Sequence, residues 1–311
     1  MKKVLVTGAA GIIGRKVIGY LLSEGKYEIT ALDLRNKSSQ KVLKKYRRRI
    51  NIIYGDMLDN VLIDALVKDQ DYIIHLAGVM PPIADIRKNL ADKIEYTGTE
   101  NIIKAINFYN AKCHLFYASS TTVYGRGDSA QVKSKNILSS LDYYSNMKLK
   151  TEELIQEKLK NYTIIRVPLV LSNPKDKKLM YNVRKNAQVE AITDNDVAYL
   201  FVSALEKISK INRKIFNAGG GDAMRGRYGD ILREILKVYG LSFRYLNTLL
   251  FVDKNYYTHY YVDSDILNDI LEYRSESLSS YYMRLKREIH GRFLARILAK
   301  PFILFLRGKN K

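Results

Sequence analysis

Val4-Leu5-Val6-Thr7-Gly8-Ala9-Ala10-Gly11-Ile12-Ile13-Gly14 decides the fold. A short apolar run rich in β-branched residues ends in three glycines spaced three apart, and an amphipathic helix pattern follows over 14–24. In that order one glycine lets the chain turn tightly, a second lets a pyrophosphate approach the backbone, and a third lets helix and strand pack closely. The first helical turn then offers free N–H groups at the positive end of its dipole. Gly8, Gly11, Ile12, Ile13 and Gly14 are therefore the expected phosphate contacts of a bound dinucleotide, against the plainer alternative of an ordinary strand-to-helix turn. Asp33, 19 residues beyond Gly14, ends the next apolar run, where a carboxylate accepts hydrogen bonds from the adenosine ribose. A carboxylate there repels a 2′-phosphate and favours NAD. Arg35, two residues on, is placed to pair with such a phosphate and keeps NADP open.

Outward from this unit the first half alternates short β-branched runs with helical periods. Residues 4–7, 28–33, 51–54, 72–76, 114–119 and 163–167 read as strands, and 14–24, 60–68, 98–110 and 144–159 as helices. That rhythm predicts an α/β fold, a doubly wound parallel sheet of Rossmann type with a small C-terminal substrate lobe. The expected division is a dinucleotide-binding core over 1–170, a mixed segment over 171–282 that completes the core and forms the lobe, and a basic amphipathic tail over 283–311. Within the second half, 195–208 and 228–239 read as helices and 214–217 as a short strand, and 240–282 is rich in tyrosine.

Of 311 residues 47% are hydrophobic, ample for a packed core, and 52 Lys and Arg against 32 Asp and Glu leave a net charge of +20. Such a surface attracts anions. The basic run 37–49 has no aromatic stacking platform or reader motif beside it, so it reads as a solvated helix face, with no specific nucleic-acid partner expected. The single cysteine, Cys113, excludes an internal disulfide and lies in an apolar run as a small core residue. No secretory leader pattern follows Met1, and no run reaches the roughly 18 apolar residues of a spanning helix, so the expected location is cytoplasmic. From 284 to 311, nine Lys and Arg face one acid, Glu288, among bulky apolar residues. This composition suits either peripheral contact with anionic lipid or packing on the protein itself.

The motifs together resemble the extended short-chain dehydrogenase/reductase family, in its NAD-dependent epimerase/dehydratase branch. Gly8, Gly11 and Gly14 stand at the family's glycine positions, Asp56 at its adenine-contacting acid, and His75-Leu76-Ala77-Gly78 at the segment running past the cofactor. Ser119-Ser120-Thr121-Thr122-Val123-Tyr124-Gly125 resembles the strand end that delivers a catalytic hydroxyl, Ser120 by position. Tyr144-Ser145-Asn146-Met147-Lys148 matches the family's Tyr-x-x-x-Lys. The resemblance implies cofactor contacts at Asp56, Met57, Leu76, Ala77, Gly78, Tyr144 and Lys148, beside those already named. It also implies catalysis by Ser120, Tyr144 and Lys148, a small-molecule substrate such as a nucleotide sugar, and a homodimer through the helices after Gly98 and around Tyr144.

Chemically, a phenol serves as general base only if its pKa, near 10, is lowered. Lys148 lies one helical turn from Tyr144, where an ammonium would stabilise the phenolate. Ser120 would hold the substrate oxygen beside Tyr144. Tyr143 is the competing tyrosine, but its partner four residues on is Met147.

Three features depart from the family pattern. Glu95 stands where an asparagine is usual, three residues before Gly98, and Thr193 where a histidine usually precedes Asp196-Val197-Ala198. Only about 25 residues separate Arg166-Val167-Pro168 from that landmark, where a substrate-binding insertion is common. Met80-Pro81-Pro82 should stiffen a loop at the active site. The leading expectation is an NAD(P)-dependent oxidoreductase of epimerase/dehydratase type, and the alternative is a non-catalytic dinucleotide sensor or scaffold, membrane-associated through its tail.

Overall fold

The computed structural model describes residues 1–81, 83–125, 131–132, 142–173, 183–240, 242 and 260–290. Its first half runs β1 (Lys2–Thr7), α1 (Ile12–Glu24), β2 (Tyr27–Asp33), α2 (Lys37–Leu43), β3 (Asn51–Tyr54), α3 (Asn60–Val67), β4 (Tyr72–His75), α4 (Ile83–Ile86), α5 (Lys88–Asp92), α6 (Gly98–Tyr109), β5 (His114–Ser120), β6 (Gln131–Val132), α7 (Tyr143–Lys158) and β7 (Tyr162–Val167). The second half adds β8 (Leu169–Leu171), β9 (Gln188–Thr193), α8 (Asp194–Ala204), α9 (Ile208–Ile211), β10 (Lys214–Asn217), β11 (Arg225–Arg227), α10 (Tyr228–Val238), β12 (Tyr260–Tyr261), α11 (Ser264–Leu271) and α12 (Leu278–His290).

Seven strands pair in parallel in the order β10-β7-β5-β4-β1-β2-β3. The six strands read from the sequence are all in this sheet, and 214–217 joins it as the seventh. Because side chains alternate along a strand, Val4 and Val6 enter one core with Val17, Ile18, Leu21 and Phe201 from α1 and α8. Leu5 enters the other with Ile63, Ile102, Ile106 and Ile155 from α3, α6 and α7. Two apolar layers on one sheet explain why the strands read as continuous hydrophobic runs.

From β1 the chain winds outward through β2 and β3, then returns beside β1 as β4 and winds the other way. At such a reversal the carboxyl ends of neighbouring strands open a crevice. It lies between β1 and β4, above Gly8 and Leu76.

The lobe is built from the mixed sheet β11-β9-β8 with α10 and α12, around Val189, Met224, Ile231, Leu232, Tyr281 and Leu285. Helix α12 runs across the boundary expected at 283. Tyr281 and Leu285 are buried, and Arg284 pairs with Asp194 at 3.0 Å and Glu276 at 2.6 Å, so this first part of the basic segment packs on the protein. The remaining tail, 291–311, lies outside the described residues, as do Pro82 and residues 241 and 243–259 of the tyrosine-rich stretch. Helix α8 ends at Ala204, four residues short of the expected 208. The basic run becomes α2, opened by an Asn36/Ser39 capping box and anchored by buried Leu43. Cys113 is buried, and burial pushes its thiol up to about 12. Among the described residues no helix is long and apolar enough to cross a membrane.

Candidate active site

The glycine turn forms because nothing larger fits. Gly8 adopts φ +66°, and a β-carbon there would fall 2.7 Å from the Ala77 nitrogen; at Gly14 it would fall 2.3 Å from the Gly8 carbonyl oxygen. Gly11 caps α1 without a side-chain hydrogen bond, and no acid stands in the first turn. Gly11 and Ile12 are exposed and Ile13 is half-buried, so the helix end faces the crevice uncapped. Bare backbone beside an open, positive helix terminus is what a pyrophosphate requires, and these residues fit a dinucleotide.

Asp33 Oδ2 accepts a hydrogen bond from the Ala10 N–H at 2.8 Å, which ties the end of β2 to the glycine turn. Burial pushes its carboxyl up, opposed by the backbone N–H groups of Ala10 and Leu34. Arg35 lies over the Tyr54 ring, 5.5 Å from its centroid. Asp56 Oδ1 accepts from the Leu58 N–H at 3.0 Å. Met57 is buried against Gly98, and its carbonyl accepts from Asn101 Nδ2 at 3.0 Å. Leu76 and Ala77 donate to the Thr7 carbonyl and hydroxyl at 3.3 and 3.2 Å, joining the exits of β1 and β4. Beneath them His75 bonds Thr7 and Thr99 through its two ring nitrogens, and burial together with the Lys148 charge lowers it to about 3. It is a neutral strut.

On the other side of the crevice, Ser120 ends β5 and Tyr144 stands in the first turn of α7, opened by the Asp142 cap on the Ser145 N–H at 2.7 Å. The Tyr144 O–H faces Met80 Sδ at 3.4 Å, and the Ser120 hydroxyl is near enough to pull the phenol pKa down. Tyr143 turns away to Asp92. Ser120, Tyr144 and Lys148 are thus brought together, with the Lys148 ammonium 5.9 Å from the Tyr144 ring centroid.

The electrostatics differ from the sequence-based expectation. Lys148 Nζ binds Glu95 Oε1 at 2.6 Å and donates to the Ala118 carbonyl at 2.9 Å. Tyr117 also donates to Glu95 Oε1. Glu95 lies fully buried in a wide π-type turn, Lys93–Thr97, that leads into α6. Burial first, and then the Glu95 carboxylate, push the Tyr144 phenol up, against the smaller pull of Ser120.

Sequence reasoning missed Tyr117 and the support under α7. Glu152, one turn beyond Lys148, forms a buried pair with Arg166 at 2.6 Å; Arg166 also donates to Tyr124 at 2.8 Å, and Ser119 donates to Glu152. The available signal was an arginine inside the apolar run that forms β7. A separate cavity of about 680 Å³, lined by Arg15, Lys45, Tyr46, Asn195 and others, shares no residue with this site.

Fold, switch-point crevice and glycine turn define a protein of the doubly wound α/β class. Residues 4–219 match the family model described as NAD dependent epimerase/dehydratase family. The chain belongs to the NAD-dependent epimerase/dehydratase family. Among curated relatives it is 28% identical over 165 residues to UDP-glucose 4-epimerase of Bacillus subtilis, covering 50% of this chain and 47% of that one. It is 28% identical over 170 residues to dTDP-glucose 4,6-dehydratase of Mycolicibacterium smegmatis, covering 52% and 50%. The chain thus spans about half the length of these curated relatives. Among solved structures, UDP-glucuronic acid 4-epimerase from Bacillus cereus, in complex with UDP-glucuronic acid and NAD, superposes with TM-score 0.78 at 20% identity, over 94% of this chain and 100% of that one. The dTDP-glucose 4,6-dehydratase from Bacillus anthracis, in complex with NAD, gives TM-score 0.79 at 15% identity, over 95% and 98%. At such identities the likeness speaks for the fold.

Proposed function

We propose that this chain is an NAD-dependent oxidoreductase of epimerase/dehydratase type, acting at a carbinol or carbonyl carbon of a nucleotide-linked sugar or related small molecule. The observation that carries this reading is the meeting of Ser120, Tyr144 and Lys148 across the crevice from an open phosphate cradle. A bound nicotinamide dinucleotide supplies a hydride acceptor or donor. Gly8 to Gly14 hold its phosphates and Asp33 its adenosine ribose. Ser120 orients the reacting oxygen, and Tyr144 exchanges a proton with it. In the described state Tyr144 keeps its proton, which suits the half-reaction in which a carbonyl oxygen receives one.

The core over 1–170 binds the dinucleotide in this reading, and the segment 171–282 faces the substrate. A homodimer through α6 and α7 belongs to this reading through the family resemblance alone; sedimentation at micromolar concentration tests it, and a monomer there removes it.

Tyr144→Phe should lower turnover by about 10²- to 10⁴-fold with dinucleotide affinity kept. Assays with UDP- and dTDP-linked hexoses provide the measurement, and parental turnover in the variant ends the assignment of Tyr144. A second reading, dinucleotide binding without turnover, draws on Met80 seated at the Tyr144 hydroxyl and on Glu95 holding Lys148. It predicts tight nucleotide binding and no hydride exchange with any such substrate.

A further inference from the structure

Glu95 Oε2 has no hydrogen-bond partner among the described residues, although the side chain is wholly buried. A carboxylate oxygen in that position costs free energy unless nearby positive charge compensates it. Lys148 supplies one such charge through Oε1, and the Tyr117 hydroxyl supplies only a dipole. Oε2 lies against Gly78: a β-carbon on Gly78 would fall 2.5 Å from Oε2 and 3.6 Å from Lys148 Nζ. Gly78 itself is exposed, so the ion pair sits directly beneath bare backbone that faces the crevice. His75, below the crevice, is held neutral by burial.

We infer that Glu95 is a specificity-determining residue for the oxidation state of the dinucleotide, its carboxylate cancelling the Lys148 ammonium beneath Gly78 and so favouring the cationic oxidised nicotinamide over the neutral reduced one. The inference rests on the dinucleotide reading proposed above, which places the nicotinamide beside Ser120 and Tyr144. Its physics is charge counting. With Glu95 ionised, the floor of this half of the crevice carries no net charge from the pair. With a neutral side chain at the same position it carries one positive charge, which repels only the oxidised ring. The reduced ring is indifferent to that change. Glu95 is in this sense a positioning residue that acts through Lys148, and the wide turn Lys93–Thr97 is the element that presents it, consistent with the recurrence of π-type turns at functional sites.

The test is calorimetric titration of the full chain with NAD+ and with NADH, for wild type, Glu95→Gln and Glu95→Asp, with near-UV circular dichroism to compare folding. Relative to Glu95→Gln, wild type should bind NAD+ more tightly and NADH about equally. Glu95→Gln, which keeps shape and loses charge, should shift the affinity ratio towards NADH by about tenfold or more. Glu95→Asp, which keeps charge, should retain most of the wild-type ratio. An unchanged ratio in folded Glu95→Gln overturns this inference alone. Should Glu95→Gln not fold, Glu95→Asn, which also removes the charge, decides by the same ratio, and a wild-type ratio in that variant overturns the inference. Wild-type protein that binds neither nucleotide overturns the dinucleotide reading and this inference with it.

Discussion

Asp33 holds its charge where the adenosine end of a dinucleotide would lie, and the Ala10 N–H fixes its direction. Arg35, two residues on, lies over the Tyr54 ring. Removing the carboxylate removes the repulsion of a 2′-phosphate, so Asp33→Ser should lower the ratio of NAD to NADP affinity by about tenfold or more. Paired equilibrium titrations with the two nucleotides measure it, and an unaltered ratio would place selection elsewhere. The place of Asp33 was legible because it depends on local order alone, the end of a strand at a fixed distance from a glycine turn. Glu95 was legible only as an unusual acid. Its pairing with Lys148 joins residues 53 apart in the chain and requires the widened turn before α6, which no short-range pattern marks. Spacing placed the Lys148 ammonium beside Tyr144 and was blind to the burial and the anion that raise the phenol in the described state.

Helix α7 carries Tyr144, Lys148 and Glu152 at successive turns, one face serving the crevice and its support together. The helical period was enough to select Tyr144 over Tyr143, which the structure turns towards Asp92. It could not show that Glu152 meets Arg166 from β7, since that contact depends on how helix and sheet stack. Breaking a buried pair leaves an uncompensated charge, so Glu152→Ala should cost roughly 3–5 kcal/mol, read as a shift in the urea midpoint. A loss under about 1 kcal/mol would mean that water reaches Arg166. The turn into α1 has a different tolerance. At Gly14 a methyl group meets the Gly8 carbonyl and the Ala9 backbone, not a side chain that can rotate away. Gly14→Ala should therefore destabilise by about 1–3 kcal/mol and weaken dinucleotide binding. Unimpaired binding in that variant would show that the cradle can widen.

At the scale of the whole molecule, the continuous apolar runs made the parallel sheet readable, because both of its faces are covered. The lobe was less readable: its short strands pair across long separations, as Arg225–Arg227 does with Gln188–Thr193, and α12 closes it from a segment whose composition is that of a surface tail. The sheet also buries two titratable rings that the fold must keep neutral. His75 lies between Thr7 and Thr99, and His114 bonds Thr163 at 2.9 Å. Burial lowers them from 6.5 to about 3 and about 4. The unfolded chain therefore takes up these protons first as pH falls. Their contribution to stability is complete above pH 6.5 and declines through the window down to the folded values. Each ring should remove about 1.4 kcal/mol per pH unit once pH is well below 6.5. Urea unfolding between pH 7 and 5 should show this slope before the carboxylates begin to titrate. His114→Gln should roughly halve it, because of the two buried rings among the described residues His75 then remains to be protonated on unfolding. A slope unchanged by that substitution would place the acid sensitivity in other groups.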